Sequence, residues 1–190
     1  MIYVTSDLHG CHPDVFQALL DRAGFSDDDF LFILGDVIDR GQYGAELLLW
    51  LTQQPNMQLI LGNHEALLLA CSFLFEEVSE ESLANLSTEK LTLLENWMEN
   101  GGSPTLAGLQ KILHRDPELV QGILDDLRDA PLYEVPETRG KTYILTHAGL
   151  GNFRPDKPLE IYTPEELLMA RPSPDTRYFD KATVVFGHTS

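Results

Sequence analysis

The chain is short of cysteine, short of positive charge and without any long apolar run, and each shortage removes a class of protein. Only Cys11 and Cys71 occur among 190 residues, in neither a CxxC spacing nor a disulfide-rich context. A reduced, cytoplasmic protein with no disulfide is expected, and no thiolate zinc knot. Lys and Arg number 13 against 30 Asp and Glu, a formal charge of −17. Such a surface repels nucleic acid, whose binding rests on cations neutralising phosphates. Solubility accounts for most of this charge, and part of it is available to hold divalent cations. No apolar run reaches the ~20 residues that span a bilayer. The opening Ile2-Tyr3-Val4-Thr5 has no basic region before it. Neither a membrane partner nor a secretory signal is therefore expected. The length suits one core better than two, so residues 1–190 are read as a single domain. Nothing in the sequence fixes an oligomeric state.

What is present is an α/β pattern. Five short apolar or β-branched runs end at polar residues or glycine, as buried strands do: Ile2–Thr5, Phe30–Leu34, Met57–Leu61, Thr142–Thr146 and Thr183–Phe186. Pro13–Ala23 carries Val15, Phe16, Leu19 and Leu20 on one helical face, with Gly24 placed as its C-cap. Ala45–Leu51 and the nearly apolar Glu65–Phe75 are further helices. From about 76 to 128 only helical periodicity is found, which predicts an all-helical insert. In it Ser87 or Thr88 caps a helix bearing Leu91, Leu94, Trp97 and Met98, followed by Thr105–His114 and Pro117–Leu127. Glu76–Glu81 is an acidic run expected at a solvated helix end. Gly151–Pro158 and the Pro172–Pro174 region read as loops. Strands alternating with helices predict a largely parallel sheet, whose ligand site lies beyond the carboxyl ends of its strands.

Each strand end delivers chemistry. The five runs are followed by Asp7-Leu8-His9-Gly10, Gly35-Asp36-Val37-Ile38-Asp39-Arg40-Gly41, Gly62-Asn63-His64-Glu65, Thr146-His147-Ala148-Gly149 and Gly187-His188-Thr189. All would converge on one sheet edge. A lone strand-end Asp is often a helix cap, and a lone His is usually a surface or core residue. Four of the six histidines nevertheless fall in these five segments, leaving His12 and His114 as structural or surface residues. Carboxylates and neutral imidazoles bind borderline divalent ions such as Mn, Fe and Zn. Two such ions about 3.5–4 Å apart can clamp the attacking and leaving oxygens of a phosphoryl group.

The segments DLHG, GDVIDRG, GNHE, THAG and GHT, in this order, resemble the calcineurin-like metallophosphoesterases. Within them GDxxDRG and GNHE resemble the phosphoprotein phosphatase group, including the phage lambda phosphatase and bacterial diadenosine tetraphosphatases. Trp97-Met98-Glu99-Asn100-Gly101-Gly102, followed by Thr105, is similar to the bacterial and phage branch. The resemblance runs from Asp7 to His188 and implies a layered β-sheet core flanked by helices. It implies that Asp7 and His9 bind a first divalent metal, that Asp36 bridges, and that Asn63, His147 and His188 bind a second. The ions would be Mn first, with Fe, Zn, Co or Ni as substitutes. A metal-bridging hydroxide would attack phosphorus in line, and His64, oriented by Asp39, would protonate the leaving alkoxide. Arg40 would grip phosphate oxygens. Arg171 sits where relatives place a second phosphate-binding arginine, although Met169 replaces a common Trp. Glu65 reads as a helix-start or supporting residue. Relatives continue past their GHT motif, so the family's last strands and a complete second sheet are not expected within 1–190, which leaves His188 less firmly held.

The resulting expectation is hydrolysis of phosphomonoesters, with phosphoserine or phosphothreonine of a phosphoprotein, or a phosphorylated small molecule, as substrate. Hydrolysis of a dinucleoside polyphosphate is the alternative, with an identical metal core. A non-catalytic metal-binding or regulatory protein is a further alternative, opposed by His64, Asp39 and Arg40.

Overall fold

The run Phe30-Leu31-Phe32-Ile33-Leu34 explains the architecture, because it is apolar on both faces. In the computed structural model, which describes residues 1–76, 87–173 and 175–189, it is the central strand β2 of a parallel sheet. The sheet has the order β1-β2-β3, with β1 at Ile2–Thr5 and β3 at Met57–Ile60. Leu31 and Ile33 point into a core made with helices, while Phe32 and Leu34 point to a second sheet. A strand covered on both sides has no polar face to show.

Helices α1 (Pro13–Ala23), α2 (Gly44–Leu51) and α3 (Asn63–Ala70) supply Phe16, Leu20, Leu47, Leu48 and Leu68 to the larger core. His12 caps α1 by accepting the Asp14 N–H at 3.1 Å, and Gly24 ends it at φ 77°. Three further helices, α4 (Thr88–Glu99), α5 (Ser103–Leu113) and α6 (Pro117–Asp129), add Trp97, Leu109, Val120, Ile123, Leu124 and Leu127 to the same core. They are the described part of the helical insert. The acidic run Glu76–Glu81 lies outside the described residues after Glu76.

A second, mixed sheet packs on the parallel one, as the expected layered β-sheet core requires. Its strand β6 (Lys141–Thr146) is flanked on one side by two short antiparallel strands, β4 (Tyr133–Glu134) and β5 (Glu137–Thr138). On the other side it pairs in parallel with β7 (Ala182–Val185). Arg139 and Gly140, at φ 51° and 70°, form the two-residue turn from β5 to β6, a conformation whose twist matches a hairpin. Two-residue strands carry no periodicity, so β4 and β5 left no trace in the pattern. Helix α7 (Pro164–Leu168) was also unread, although Thr163 and Glu166 form a capping box with Pro164 in the first turn. The expected helix Glu65–Phe75 begins earlier, at Asn63, and its last turn is a separate 3₁₀ segment, Ser72–Phe75.

Between the sheets lie Phe32, Leu34, Ile60 and Leu145, with Ile2, Tyr143 and Val185 packed around them. Burying each such side chain contributes about 1.5–3 kcal/mol before chain entropy is charged. Leu150, Tyr162 and Leu167 cover the outer face of the second sheet. The layers therefore run helices, parallel sheet, mixed sheet, short helix and loops. Among the described residues no helix is long and apolar enough to cross a membrane.

Candidate metal and phosphate site

The loops that leave β1, β2 and β3 and those that leave β6 and β7 meet across the sheet-to-sheet seam, so the strand ends converge on the edges of two sheets. Backbone strain collects there. Among the described residues, six of the eight non-glycine positions with positive φ are Asp7 (55°), His9 (41°), Asp36 (55°), Asp39 (68°), Arg40 (65°) and His188 (67°). Such conformations cost of order 1–3 kcal/mol each and persist only when surroundings enforce them.

The enforcing group on the first sheet is Glu65. It is fully buried and its carboxylate accepts N–H bonds from Asp36 (2.8 Å), Val37 (2.8 Å), Ile38 (3.3 Å) and Gly62 (3.1 Å). One side chain thus ties the β2 loop to the β3 loop. The loops are also in close contact at Gly62, where a Cβ would sit 2.5 Å from the Asp36 nitrogen. Only glycine permits that approach.

Asp36 lies at the centre. Its Oδ1 is 3.5 Å from His147 Nε2, and its Oδ2 is 3.8 Å from His9 Nε2 and 3.9 Å from His64 Nε2. Two three-residue groups could each hold a cation, His9–Asp36–His64 and Asp36–His147–His188, and Asp36 belongs to both. Burial pushes its carboxyl up to about 6, with the His64 charge pulling the other way.

The histidines are prepared as neutral donors of a lone pair. His147 Nδ1–H donates to the Leu34 carbonyl at 2.7 Å, which leaves Nε2 facing Asn63 Oδ1 (2.8 Å) and His188 Nδ1 (3.0 Å). His9 Nδ1–H likewise donates to the Ile38 carbonyl at 3.1 Å, turning Nε2 toward Asp36. Burial lowers the pKa of His9 and of His147, and burial together with the His147 and Arg171 charges takes His188 down to about 4. Acceptor atoms therefore face one another across a space that a cation would neutralise. The residues present fit a divalent metal.

Asp7 is in neither three-residue group but acts on members of both. Its Oδ2 accepts the His188 N–H at 3.0 Å, and its charge acts on His9, Asp36, His147 and His188 alike. His64 belongs to a different arrangement. Its Nδ1–H donates to Asp39 Oδ2 at 2.7 Å, both residues being buried, and Arg40 Nη2 donates to its Nε2 at 3.3 Å. The same Nε2 also faces Asp36 Oδ2, 3.9 Å away. Burial opposes its imidazolium, but the Asp39 hydrogen bond and the Asp36, Asp39 and Glu65 charges raise its pKa overall.

Arg40 is exposed beside His64. Arg171 is exposed too, close enough for its charge to act on His188, and lines a cleft of about 690 Å³ with Leu150, Phe153, Glu166, Met169 and Thr176. His12 and His114 lie outside the site; His114 Nδ1–H donates to the Gln110 carbonyl at 2.8 Å. Sequence reasoning gave Trp97 and Thr105 no role at the site, although both hydrogen-bond to Asp39. Beyond the branch resemblance Trp97 read as one apolar residue of a helix face, and nothing local marked its indole N–H.

A two-sheet sandwich with paired cation-binding groups at its seam is the layout of a metallophosphoesterase. The chain belongs to the calcineurin-like phosphoesterase family, whose model matches residues 1–190. It is 33% identical over 100 residues to a symmetrical bis(5'-nucleosyl)-tetraphosphatase of Buchnera aphidicola subsp. Acyrthosiphon pisum (strain Tuc7), covering 50% of this chain and 36% of that protein. A protein of the same name from Erwinia tasmaniensis is 29% identical over 150 residues, 78% of this chain and 44% of the relative. The matched stretch thus spans less than half the length of these curated relatives. A crystal structure provisionally described as a diadenosine tetraphosphatase superposes with a TM-score of 0.50 at 19% identity, over 87% of this chain and 61% of that one, and shares the fold.

These relatives overturn the expectation of a Ser/Thr protein phosphatase with a phosphoprotein substrate, since they are named for a dinucleoside tetraphosphate. The physical reason is that the five motifs build the metal core, which is common to both chemistries. They carry no information about the group attached to phosphorus.

Proposed function

We propose that the chain, read as one metallophosphoesterase domain over residues 1–190, is a metal-dependent hydrolase of dinucleoside polyphosphates. The observation that carries this reading is the position of Asp36, whose two carboxylate oxygens face His9 (3.8 Å) on one side and His147 (3.5 Å) on the other, beside the Asp39–His64 pair. The relatives' names supply the substrate class. Asp7, His9 and Asp36 would hold one ion, and Asp36, Asn63, His147 and His188 the other, Mn being the first candidate. When bound, the two ions polarise the phosphoryl group and make water a better nucleophile.

The chain's own residues do the rest. Arg40 and Arg171 bind phosphate oxygens, since a planar fork of donors matches them. When the Arg40 guanidinium turns from His64 Nε2 to a phosphate oxygen, that nitrogen can carry a proton; His64, then doubly protonated, gives it to the departing oxygen while Asp39 holds the opposite Nδ1–H. For a tetraphosphate cleaved symmetrically, water adds to one central phosphorus while its bond to the bridging oxygen breaks. The bridging oxygen leaves with the other half, so two nucleoside diphosphates form and one water is consumed. The Asp39–His64 pair also opposes a purely metal-binding role, in which a leaving-group acid has no task.

The test is to supply diadenosine tetraphosphate and a phosphopeptide side by side with Mn²⁺, and to follow products by ³¹P NMR. Metal-dependent release of adenosine diphosphate alone is expected. Turnover of the phosphopeptide at an equal or higher kcat/KM, or release of adenosine mono- and triphosphate in pairs, would overturn the reading.

A further inference from the structure

The helical insert reaches the site through one short segment, residues 97–105. The Trp97 indole N–H donates to Asp39 Oδ2 at 2.9 Å, the same oxygen that accepts from His64 Nδ1 at 2.7 Å. The Asp39 N–H donates to Thr105 Oγ1 at 2.9 Å, and the Arg40 N–H donates to the Gly101 carbonyl at 2.9 Å. Side chain and backbone of the Asp39–Arg40 turn are therefore both held from the insert. That turn needs holding, because both residues have positive φ.

The contact is built for closeness. Trp97, Asp39 and Thr105 are each fully buried. The indole lies on the chain at Gly102, where a Cβ would sit 2.6 Å from its nitrogen. Among the described residues Asp39 Oδ1 is buried with no partner, so the side-chain hydrogen bonds of this carboxylate are made at Oδ2. With two donors on one oxygen the carboxylate plane is fixed. With one donor it can turn, and the imidazole turns with it.

We propose that Trp97, assisted by Thr105, is the positioning residue of the leaving-group acid: it holds Asp39, which holds His64. The insert is then more than cover for the core, since the aim of the acid depends on it. This inference rests on the reading of His64 as acid, and a leaving-group comparison separates the two. An acid matters for a poor leaving group and little for a good one.

The experiment compares kcat/KM for phenyl phosphate and 2,4-dinitrophenyl phosphate in His64→Asn, Trp97→Phe, Thr105→Val and the His64→Asn/Trp97→Phe double variant. His64→Asn is expected to lose far more on phenyl phosphate. Trp97→Phe should show the same bias, at least about ten-fold, Thr105→Val a weaker one, and the double variant no more bias than His64→Asn alone. Absence of bias in His64→Asn overturns the acid assignment and this inference together. Bias in His64→Asn with equal losses on both substrates in Trp97→Phe overturns this inference alone. A structural readout runs in parallel and covers the case in which Trp97→Phe fails to fold. In the Asp39→Asn protein the Trp97 indole ¹H–¹⁵N signal should move while that of Trp50 stays. An unmoved Trp97 signal overturns the inference.

Discussion

The two halves of the site are held by different means. On the first sheet, Asp36 and His64 are fastened by a buried carboxylate that accepts four backbone N–H bonds and by hydrogen bonds from the helical insert. On the second sheet, His147 and His188 follow parallel strands, and their loops are joined by Gly187 N–H to the His147 carbonyl at 2.8 Å. Their ties to the first sheet are His147 Nδ1–H to Leu34 and His188 N–H to Asp7. Preorganisation is thus concentrated around Asp36, Asp39 and His64. The other half relies on registry between two sheets.

The largest effect should come from the residue the halves share. Asp36→Asn is expected to empty both cation groups, lowering Mn content to near zero and kcat by more than the 10²–10⁴-fold typical of losing a proton-transfer group. His188→Ala should remove one ion and leave the other. Metal analysis on gel-filtered protein distinguishes these outcomes, and loss of both ions in His188→Ala would erase the contrast.

Stability tests the comparison next. Glu65→Ala leaves four N–H donors without their charged acceptor and should cost about 3–5 kcal/mol in thermal or denaturant unfolding. In the second half, Thr146→Val removes the exchange between Thr146 Oγ1 and the Gly149 backbone (2.9 and 3.2 Å) and should cost only about 1–2 kcal/mol. Equal costs would mean that the halves are equally braced.

Protons should act on both halves at once. Burial raises the Asp36 carboxyl to about 6, so below that pH a cation must displace a proton. Mn²⁺ affinity is therefore expected to be flat between pH 7 and 8 as far as Asp36 is concerned, and to fall about ten-fold per unit below pH 6. His188, lowered to about 4 with burial as the main cause, stays neutral until more acid conditions. Titration calorimetry at pH 7.0 and 5.0 checks the sign; tighter binding at pH 5.0 refutes it.

The smallest effect lies in the loop beside Arg171. Glu166 accepts from Lys157 (2.7 Å to each oxygen), Asn152 (3.0 Å) and Thr163 (3.0 Å), and Lys157 foremost lowers its carboxyl to about 2. A depressed acid stabilises above its unfolded value and loses that contribution as pH falls toward 2. Glu166→Gln should change unfolding stability little, yet speed trypsin cleavage at Arg154 and Lys157. Unchanged cleavage would show that the loop is held by its apolar residues instead.

Much of this was legible in the chain. The strands that supply Asp7, His9, Asp36, His147 and His188 are apolar runs ending in polar residues, and the helix of Asn63 and His64 follows a fifth such run. Helices α1, α2, α4, α5 and α6 follow from apolar spacing and caps. In the second sheet β6 and β7 were legible as apolar runs, but β4 and β5 were not, since they are two residues each and their pairing with β6 is long-range or turn-driven. The substrate was not legible either, because phosphoester and phosphoanhydride cleavage require the same cation-binding core.

The sequence by itself determined which residue types stand at the strand ends, because strand periodicity and loop glycines are local properties. Only the tertiary structure decided that Asp36 is shared by two groups, that Glu65 ties two loops together, and that Trp97 reaches Asp39 from 58 positions away. The reason is physical. Apolar patterning acts through neighbours three or four residues apart, whereas a hydrogen bond to a buried carboxylate depends on where whole layers come to rest against each other.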